Sequence, residues 1–167
     1  MKSIMILSIK EWRIDMNYNE EKGNLFTLAN EYVLGHCISY DCEMGKGIAR
    51  QFRDRYPNMK GELKRILNTN RLEYPVTILY TDDITGDKIF NLITKEKFFN
   101  KPTKSTIREC IKQMAKICKE NGIKKLALPL IGCGLDRLEW NFVKTLILNE
   151  FKELDIDIQV RYIDKIN

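Results

Sequence analysis

Two glycine-containing segments of the chain have the residue types of an anion-binding site. Gly132-Cys133-Gly134 follows a short apolar run and precedes an amphipathic segment that starts near Glu139. Gly45-Lys46-Gly47 follows the apolar run Tyr32–Ser39 and again precedes residues with helical spacing. Glycines let backbone N–H groups approach a ligand, and a helix N-terminus adds unpaired donors and the positive end of a dipole. Each segment therefore predicts a phosphate-binding loop, although neither contains the GxxxxGK[ST] or GxGxxG pattern of a nucleotide fingerprint.

The elements that would hold these loops follow from the apolar patterns on either side. Strands are predicted at Met16–Glu20, Tyr32–Ser39, Val76–Thr81, Lys88–Lys95 and Asp157–Ile163, and a further short strand is predicted to begin at Leu126. Helices are predicted at about 48–56, 60–68, 104–121 and 139–151, the third with Thr106 and Glu109 as a capping box. Strands and helices alternate apart from one strand pair, which predicts an α/β fold with a mixed sheet between two helical layers. Both loops can then face each other at one edge of the sheet, where such folds hold ligands.

Composition limits the class of protein. The 167 residues suit one domain, and 44% hydrophobic with 31% charged residues is ordinary for a globular protein. A net charge of +5 favours an anionic ligand, but a mildly basic solvated surface explains the number as well. The apolar run Ile4–Leu7 is too short for a signal peptide or a membrane span, so the sequence predicts a cytoplasmic protein without membrane contact.

The cysteines indicate reduced thiols. Their number is five, which is odd, and the absence of a CxxC or CxxH pair argues against both a disulfide framework and a zinc site. A metal cluster of His36, Cys37, Cys42 and Cys133 is a weak alternative. The single histidine, in an apolar strand, is expected to be a hydrogen-bonded core residue rather than a catalyst.

Three motifs in order along the chain carry a resemblance to a known family. HCISYDCEMGKGIARQF (36–52), NLITKEKFFNKPT (91–103) and LPLIGCGLDRLEW (128–140) resemble the macrodomain family. The branch is that of the terminal ADP-ribose protein glycohydrolase and of the macrodomain antitoxins that clear ADP-ribose from DNA. The likeness covers about residues 16 to 163 and implies a three-layer α/β/α sandwich, a macrodomain over residues 16–167. Residues 1–15 fall outside it and are predicted to form an edge strand or an arm.

The resemblance also implies site residues. Lys95 matches the family's catalytic lysine and Asp136 its catalytic aspartate. Asn24, Leu25 and Ile163 would lie by the adenine, Ser39 would line the site, and two loops would wrap the diphosphate and the distal ribose. The residues of these loops are Met44, Gly45, Gly47, Ile48 and Ala49 in the first, and Leu130, Ile131, Gly132, Cys133, Gly134 and Leu135 in the second. In Cys133 the backbone N–H is expected to matter rather than the thiol. Many family members have Asp at the position of Asn24, so recognition of the base is expected to be weaker.

Both candidate catalytic residues have simpler interpretations. Lys95 could be a solvated residue at a strand end, and it is protonated at neutral pH unless its surroundings favour the free amine. Strand alternation would place Lys97 on the same side, where its charge would help. Asp136 and Glu139 fit a capping box for the last helix, which is compatible with a role in the site only if the carboxylate faces the ligand.

The function implied by the resemblance is hydrolysis: an ADP-ribosyl glycohydrolase acting on modified Glu and Asp carboxylates or on modified DNA bases. Lys95 would be the nucleophile and Asp136 the general acid and base, with no metal and no cofactor. The alternatives are a reader that binds ADP-ribose without catalysis, an O-acetyl-ADP-ribose deacetylase, and a basic nucleic-acid-binding module. The implied partners are ADP-ribose and ADP-ribosylated protein or DNA, and the antitoxin branch of the family adds a toxin as a candidate partner. The protein is expected to be a monomer that reverses ADP-ribosylation, also in the context of DNA damage.

Overall fold

The computed structural model describes residues 16–163, so the predicted arm at residues 1–15 lies outside the described residues. A six-stranded mixed sheet runs through this part of the chain in the order β1-β6-β5-β2-β4-β3. Only β3 is antiparallel to its neighbour, and the other pairs are parallel. The strands are β1 (Asn17–Lys22), β2 (Val33–Ser39), β3 (Val76–Thr81), β4 (Lys88–Lys95), β5 (Lys125–Leu128) and β6 (Asp157–Tyr162).

Helices cover both faces of this sheet, which confirms the three-layer α/β/α sandwich. They are α1 (Gly47–Arg55), α2 (Met59–Thr69), α3 (Lys104–Asn121) and α4 (Trp140–Phe151), with a short 3₁₀ helix at Leu25–Leu28. One core joins α3 and α4 to side chains such as Phe90 and Leu128, and the other joins α1 and α2 to side chains such as Ile89 and Ile93. Because β4 contributes alternate residues to the two cores, its apolar run is buried from both sides.

The ends of α3 follow from local chemistry, with one correction. Thr103 caps the helix by accepting from the N–H of Thr106, and the Thr106 hydroxyl closes a reciprocal capping box. The predicted box of Thr106 and Glu109 is therefore wrong, because the helix begins three residues before that pair would allow. Gly122 ends the helix in the left-handed conformation, as the Asn121-Gly122 pair indicates.

The sheet opens between β2 and β5. These strands pair only at Val33 with Leu126 and at Leu34 with Ala127. Beyond that point no pairing between them holds the sheet closed, so their carboxyl ends leave room for a cleft. Within residues 16–163, no helix has both the length and the apolar composition that a membrane crossing requires.

Candidate active site

A cavity of about 650 Å³ occupies this cleft at the carboxyl edge of the sheet. Both glycine loops line it, together with the ends of β2, β4 and β6. Every residue that the sequence assigned to the site contributes to its lining except Cys133. The structure thus brings together side chains as distant in the chain as Asn24 and Ile163.

The first loop, residues 44–49, leads straight into a helix. The helix α1 starts at Gly47, and Lys46 at its N-cap gives no side-chain hydrogen bond to the first turn. The first N–H groups of any helix lack intrahelical acceptors. In α1 these groups belong to Gly47, Ile48 and Ala49, all of which line the cavity, so the helix start lies where the sequence predicts donors for an anion.

Backbone strain accompanies this loop. Cys42 and Met44 have φ values of 55° and 47°, a conformation that is unfavourable for side chains other than glycine. Gly47 has a φ of 59° and adopts the same region without that penalty. Such residues concentrate where a fold over-determines the backbone for function.

The second loop, residues 130–137, is partly closed on itself. Three of its N–H groups are used internally: Ile131 donates to the Pro129 carbonyl at 2.8 Å, Cys133 to the Leu130 carbonyl at 3.1 Å, and Arg137 to the Gly134 carbonyl at 3.2 Å. The N–H groups of Gly132, Gly134 and Leu135, which line the cavity, donate to no atom of residues 16–163. Leu138 donates back to the Gly132 carbonyl at 2.8 Å, and α4 begins only at Trp140. The predicted helix start near Glu139 agrees with this within one residue. The Cys133 thiol donates a hydrogen bond to the Ile131 carbonyl, and its N–H donates within the turn. Cys133 does not line the cavity.

Lys95 and Asp136 form an ion pair at one end of the cavity. Lys95 Nζ donates to Asp136 Oδ1 at 2.6 Å, and the two side chains are only 12% and 13% exposed. Neither residue matches its simpler interpretation. The lysine is not solvated, and Asp136 is not a helix cap, because Glu139 occupies the N-cap of α4. The loop reaches this position through Arg137, whose φ of 61° turns the chain away from a helical path.

The end of β4 fixes the lysine. A bulge between Ile38 and Ser39 pairs Ser39 with Lys95, and the Tyr40 N–H donates to the Lys95 carbonyl at 2.8 Å. The strand stops at Lys95, so the alternation used to place Lys97 beside it does not apply. Lys97 is exposed and lies outside the cavity wall.

Another part of the cavity lies at Asn24 and also includes Arg161, whose Cδ would lie 3.3 Å from a Cβ added at Gly23. Asn24 caps the 3₁₀ helix, its Oδ1 accepting from the Phe26 N–H at 3.0 Å, and Leu25 behind it is buried. Ile163, which is 62% exposed, forms the outer rim. An apolar slot beside one amide suits a flat ring more than a charged group.

The comparisons with known proteins agree with this geometry. The Macro domain family matches residues 36–147, which is more than half of the chain. The chain belongs to the macrodomain family. It is 40% identical to the ADP-ribose glycohydrolase OARD1 of Bos taurus over 139 residues, covering 83% of this chain and 87% of the relative. The human protein of the same name is 39% identical over the same share of each chain.

Solved structures show the same fold. The macrodomain of Thermus aquaticus DarG has a TM-score of 0.77 at 23% identity, covering 87% of this chain and 98% of that one. Thermosipho africanus DarTG, solved in complex with ADP-ribose, has a TM-score of 0.78 at 24% identity and covers 90% of this chain and 43% of that one. At these identities the likeness speaks for the fold alone.

The macrodomain cavity also contains residues that sequence reasoning missed. Phe98 and Lys101 come from the loop after β4, and Arg161 comes from β6. Phe98 is 56% exposed, and Lys101 Nζ donates to the Leu135 carbonyl across the cavity mouth. The signal was the FFNK run at residues 98–101, which begins three residues after Lys95, since two phenylalanines close to a strand end are unusual in a solvated loop.

The histidine and the thiols of the macrodomain are structural. His36 is fully buried, stacks on Phe52 with 3.9 Å between ring centroids, and shares a 2.7 Å hydrogen bond with Asn91 Oδ1. Burial raises the pKa of each of the five cysteine thiols, which keeps them protonated and poor metal ligands at neutral pH. Among residues 16–163, no group of three or more potential ligands is arranged to hold a metal ion, so the cluster of His36 with three cysteines is not formed.

Proposed function

We propose that this macrodomain is an ADP-ribosyl glycohydrolase, with Lys95 as nucleophile and Asp136 as general acid and base. The observation that carries the proposal is the 2.6 Å contact between these side chains, both largely buried, at one end of a cavity of about 650 Å³. A protein that only binds a ligand has no need of a desolvated ion pair at the ligand's end. The names of the bovine and human relatives, ADP-ribose glycohydrolases and thus hydrolases, support the same function.

The size and lining of the cavity support ADP-ribose as the ligand. The open N–H groups at the start of α1 would receive the diphosphate. The slot at Asn24 and Leu25 would receive the adenine, and the distal ribose would then lie toward Lys95 and Asp136. The complex of the Thermosipho africanus relative with ADP-ribose supports this ligand.

Asn24 modifies recognition of the base. Its Oδ1 already accepts from the Phe26 N–H, so one lone pair of a neutral amide oxygen remains for the adenine amino group. Because that oxygen carries no charge, the amide is expected to hold the base more weakly than a carboxylate would.

The chemistry takes place at C1″ of the distal ribose. Asp136 accepts a proton from the Lys95 ammonium, and the freed amine attacks C1″. The bond between C1″ and the carboxylate oxygen breaks, the electron pair goes to that oxygen, and Asp136 protonates it so that the free acid leaves. Asp136, now ionised, takes a proton from the water that attacks C1″, and the bond from C1″ to the lysine nitrogen breaks with its electron pair on the amine. Asp136 then returns this proton to the amine, which restores the ion pair. The net reaction is hydrolysis of an ADP-ribosyl ester to ADP-ribose and a free acid.

The test is release of labelled ADP-ribose from protein modified on Glu or Asp and, separately, from modified single-stranded DNA. Wild type, Lys95→Ala and Asp136→Ala are compared, and Lys97→Ala is the matched control because that lysine is exposed and outside the cavity. The expected result is release by wild type and by Lys97→Ala, with loss of about a thousandfold or more in Lys95→Ala.

Two outcomes would contradict the proposal. If wild type binds ADP-ribose and releases it from neither substrate, the protein is a reader. If Lys95→Ala retains full release, the lysine mechanism is wrong. The two substrates also decide between protein and DNA as the carrier. A partner toxin is a further proposal, supported by the Thermosipho africanus relative, which is named as a fusion of a DNA ADP-ribosyl transferase and a DNA ADP-ribosyl glycohydrolase.

A further inference from the structure

Asp41 lies just behind the cavity wall, after the end of β2. Its carboxylate accepts three hydrogen bonds: Oδ1 from the Ser39 hydroxyl at 2.5 Å and from the Glu43 N–H at 3.3 Å, and Oδ2 from the Phe98 N–H at 3.0 Å. All three donor residues line the cavity, and Asp41 itself does not.

These donors come from three separate parts of the wall. Ser39 ends β2 opposite Lys95, Glu43 precedes the diphosphate loop, and Phe98 lies in the loop that follows Lys95. The backbone adds two hydrogen bonds at the same place, from Tyr40 to the Lys95 carbonyl at 2.8 Å and from Asp41 to the Glu96 carbonyl at 3.2 Å. A single carboxylate thus links the strand end that carries the nucleophile to both neighbouring loops.

The ionised form of Asp41 suits this task. A carboxylate only accepts, and it offers enough lone pairs for three donors, whereas a neutral amide offers a single oxygen. Burial acts to raise the pKa of Asp41, but the hydrogen bonds from Ser39, Phe98 and Glu43 outweigh it and leave the pKa below its ordinary value. Hydrogen bonds to an ionised acceptor are also stronger than neutral ones.

We infer that Asp41 is a positioning residue, which fixes the Lys95 end of β4 and the Phe98 loop relative to the diphosphate loop. This inference rests on the proposed function, since Lys95 is the group whose position matters. A displacement of about 1 Å at a reacting group can lower a rate about a hundredfold even when every contact with the ligand is kept.

The test measures kcat for release of ADP-ribose, the Kd of free ADP-ribose, and backbone hydrogen exchange of residues 96–100. The variants are Asp41→Asn, which keeps the size and one acceptor, and Asp41→Ala, which keeps none. Asp83→Asn is the matched control, because Asp83 also accepts from a neighbouring side chain, that of Asn58, but lies away from the cavity.

The expected kcat falls about tenfold in Asp41→Asn and about a hundredfold in Asp41→Ala, with the Kd of ADP-ribose changed less than about threefold. Exchange at residues 96–100 should become about tenfold faster in both variants and stay unchanged in Asp83→Asn. Unchanged kcat and exchange, or a rise in Kd that accounts for the whole loss, would overturn the inference. The inference is also overturned if a variant has a lower melting temperature and shows full activity when it is assayed below that temperature, because Asp41 then has a merely structural role. Hydrogen exchange reports on Asp41 even if wild type proves inactive, so failure of the proposed function is recognised separately.

Discussion

The loop after β2 and the loop after β5 both contain a Gly-x-Gly triplet, yet only the first leads directly into a helix. Gly47 is the first residue of α1, whereas five residues separate Gly134 from Trp140 at the start of α4. The first loop consequently brings the first N–H groups of a helix to the cavity wall. The second uses some of its N–H groups on nearby carbonyls, leaves others in the cavity wall without an acceptor among residues 16–163, and holds Asp136 against Lys95.

This difference lies in what each loop can position. Both loops have N–H groups that could hold an anion. The second loop, whose internal hydrogen bonds hold its backbone, can in addition fix a side chain within hydrogen-bonding distance of another. The same local sequence pattern can therefore support two separate tasks, and the number of residues before the helix decides whether the loop also positions a side chain.

The largest predicted effect tests this separation. Asp136→Asn should lower kcat roughly a hundredfold to ten thousandfold, because the amide cannot take the proton from Lys95, while the Kd of ADP-ribose changes little. Gly47→Val should instead raise the Kd of ADP-ribose, because a branched residue at a φ of 59° displaces the N–H donors of α1. Calorimetric titration and single-turnover release distinguish the two. A rise in Kd in Asp136→Asn equal to that in Gly47→Val would show that the loops share one task.

More of the fold than of the site could be predicted from local sequence patterns. The ranges of β3, β4 and α3 agree with the predicted ones, because each is a long apolar pattern bounded by turn residues. Both predicted capping boxes failed, because a cap depends on the backbone at one residue. Thr103, rather than Thr106, is the N-cap residue of α3. Arg137, at a φ of 61°, keeps Asp136 out of the N-cap position of α4. The ion pair of Lys95 with Asp136 joins positions 41 residues apart, which no local pattern reports.

The second prediction concerns the support of the first loop. His36 in β2 stacks on Phe52 of α1, and burial lowers its pKa to about 4, with the hydrogen bond to Asn91 acting weakly the other way. The folded state thus binds the proton less well than the unfolded chain, whose ordinary value is 6.5. The contribution of neutral His36 to the free energy of unfolding is complete above about pH 6.5. It is lost as the pH falls toward about 4, which lowers the free energy of unfolding by about 3 kcal/mol.

Urea unfolding at about pH 7.5 and about pH 4.5 measures this loss. His36→Gln serves as the control, because it cannot titrate in this range while the carboxylates of the protein titrate in both variants. Wild type should lose about 3 kcal/mol more than His36→Gln between these two pH values. Equal losses would mean that His36 does not couple protonation to the packing of α1 on β2.

The third prediction compares the glycines within each loop. Gly132 has a φ of 73°, and an added Cβ would lie 3.1 Å from Leu138 Cδ1. Gly47 has a positive φ, but its added Cβ would lie 3.6 Å from Leu135, an ordinary contact. Gly132→Ala should therefore lower the free energy of unfolding by about 2 kcal/mol, and Gly47→Ala by about 1 kcal/mol.

The remaining glycine of each loop provides the matched control. Gly45 and Gly134 have open space at the position of an added Cβ and are not in the left-handed region. Gly45→Ala and Gly134→Ala should leave the free energy of unfolding within about 0.5 kcal/mol of wild type. If Gly132→Ala is no more destabilised than these controls, the second loop is not the rigid support that its hydrogen bonds indicate.

The smallest predicted effect concerns Leu135, the side chain through which the two loops meet. It extends from the second loop toward Gly47 in the first, where an added Cβ would lie 3.6 Å from Leu135 Cδ1, and it is 58% exposed. Since little of it is buried, Leu135→Ala should leave stability unchanged. It should raise the Kd of ADP-ribose about two- to fivefold, because a half-covered leucine contributes about 0.5–1 kcal/mol. The control is Ile84→Ala, which removes a similarly exposed side chain away from the cavity. An unchanged Kd in Leu135→Ala would mean that the loops hold the ligand independently. A rise well beyond tenfold would instead make Leu135 a principal contact of the ligand, and the second loop would then hold the ligand as well as position Asp136.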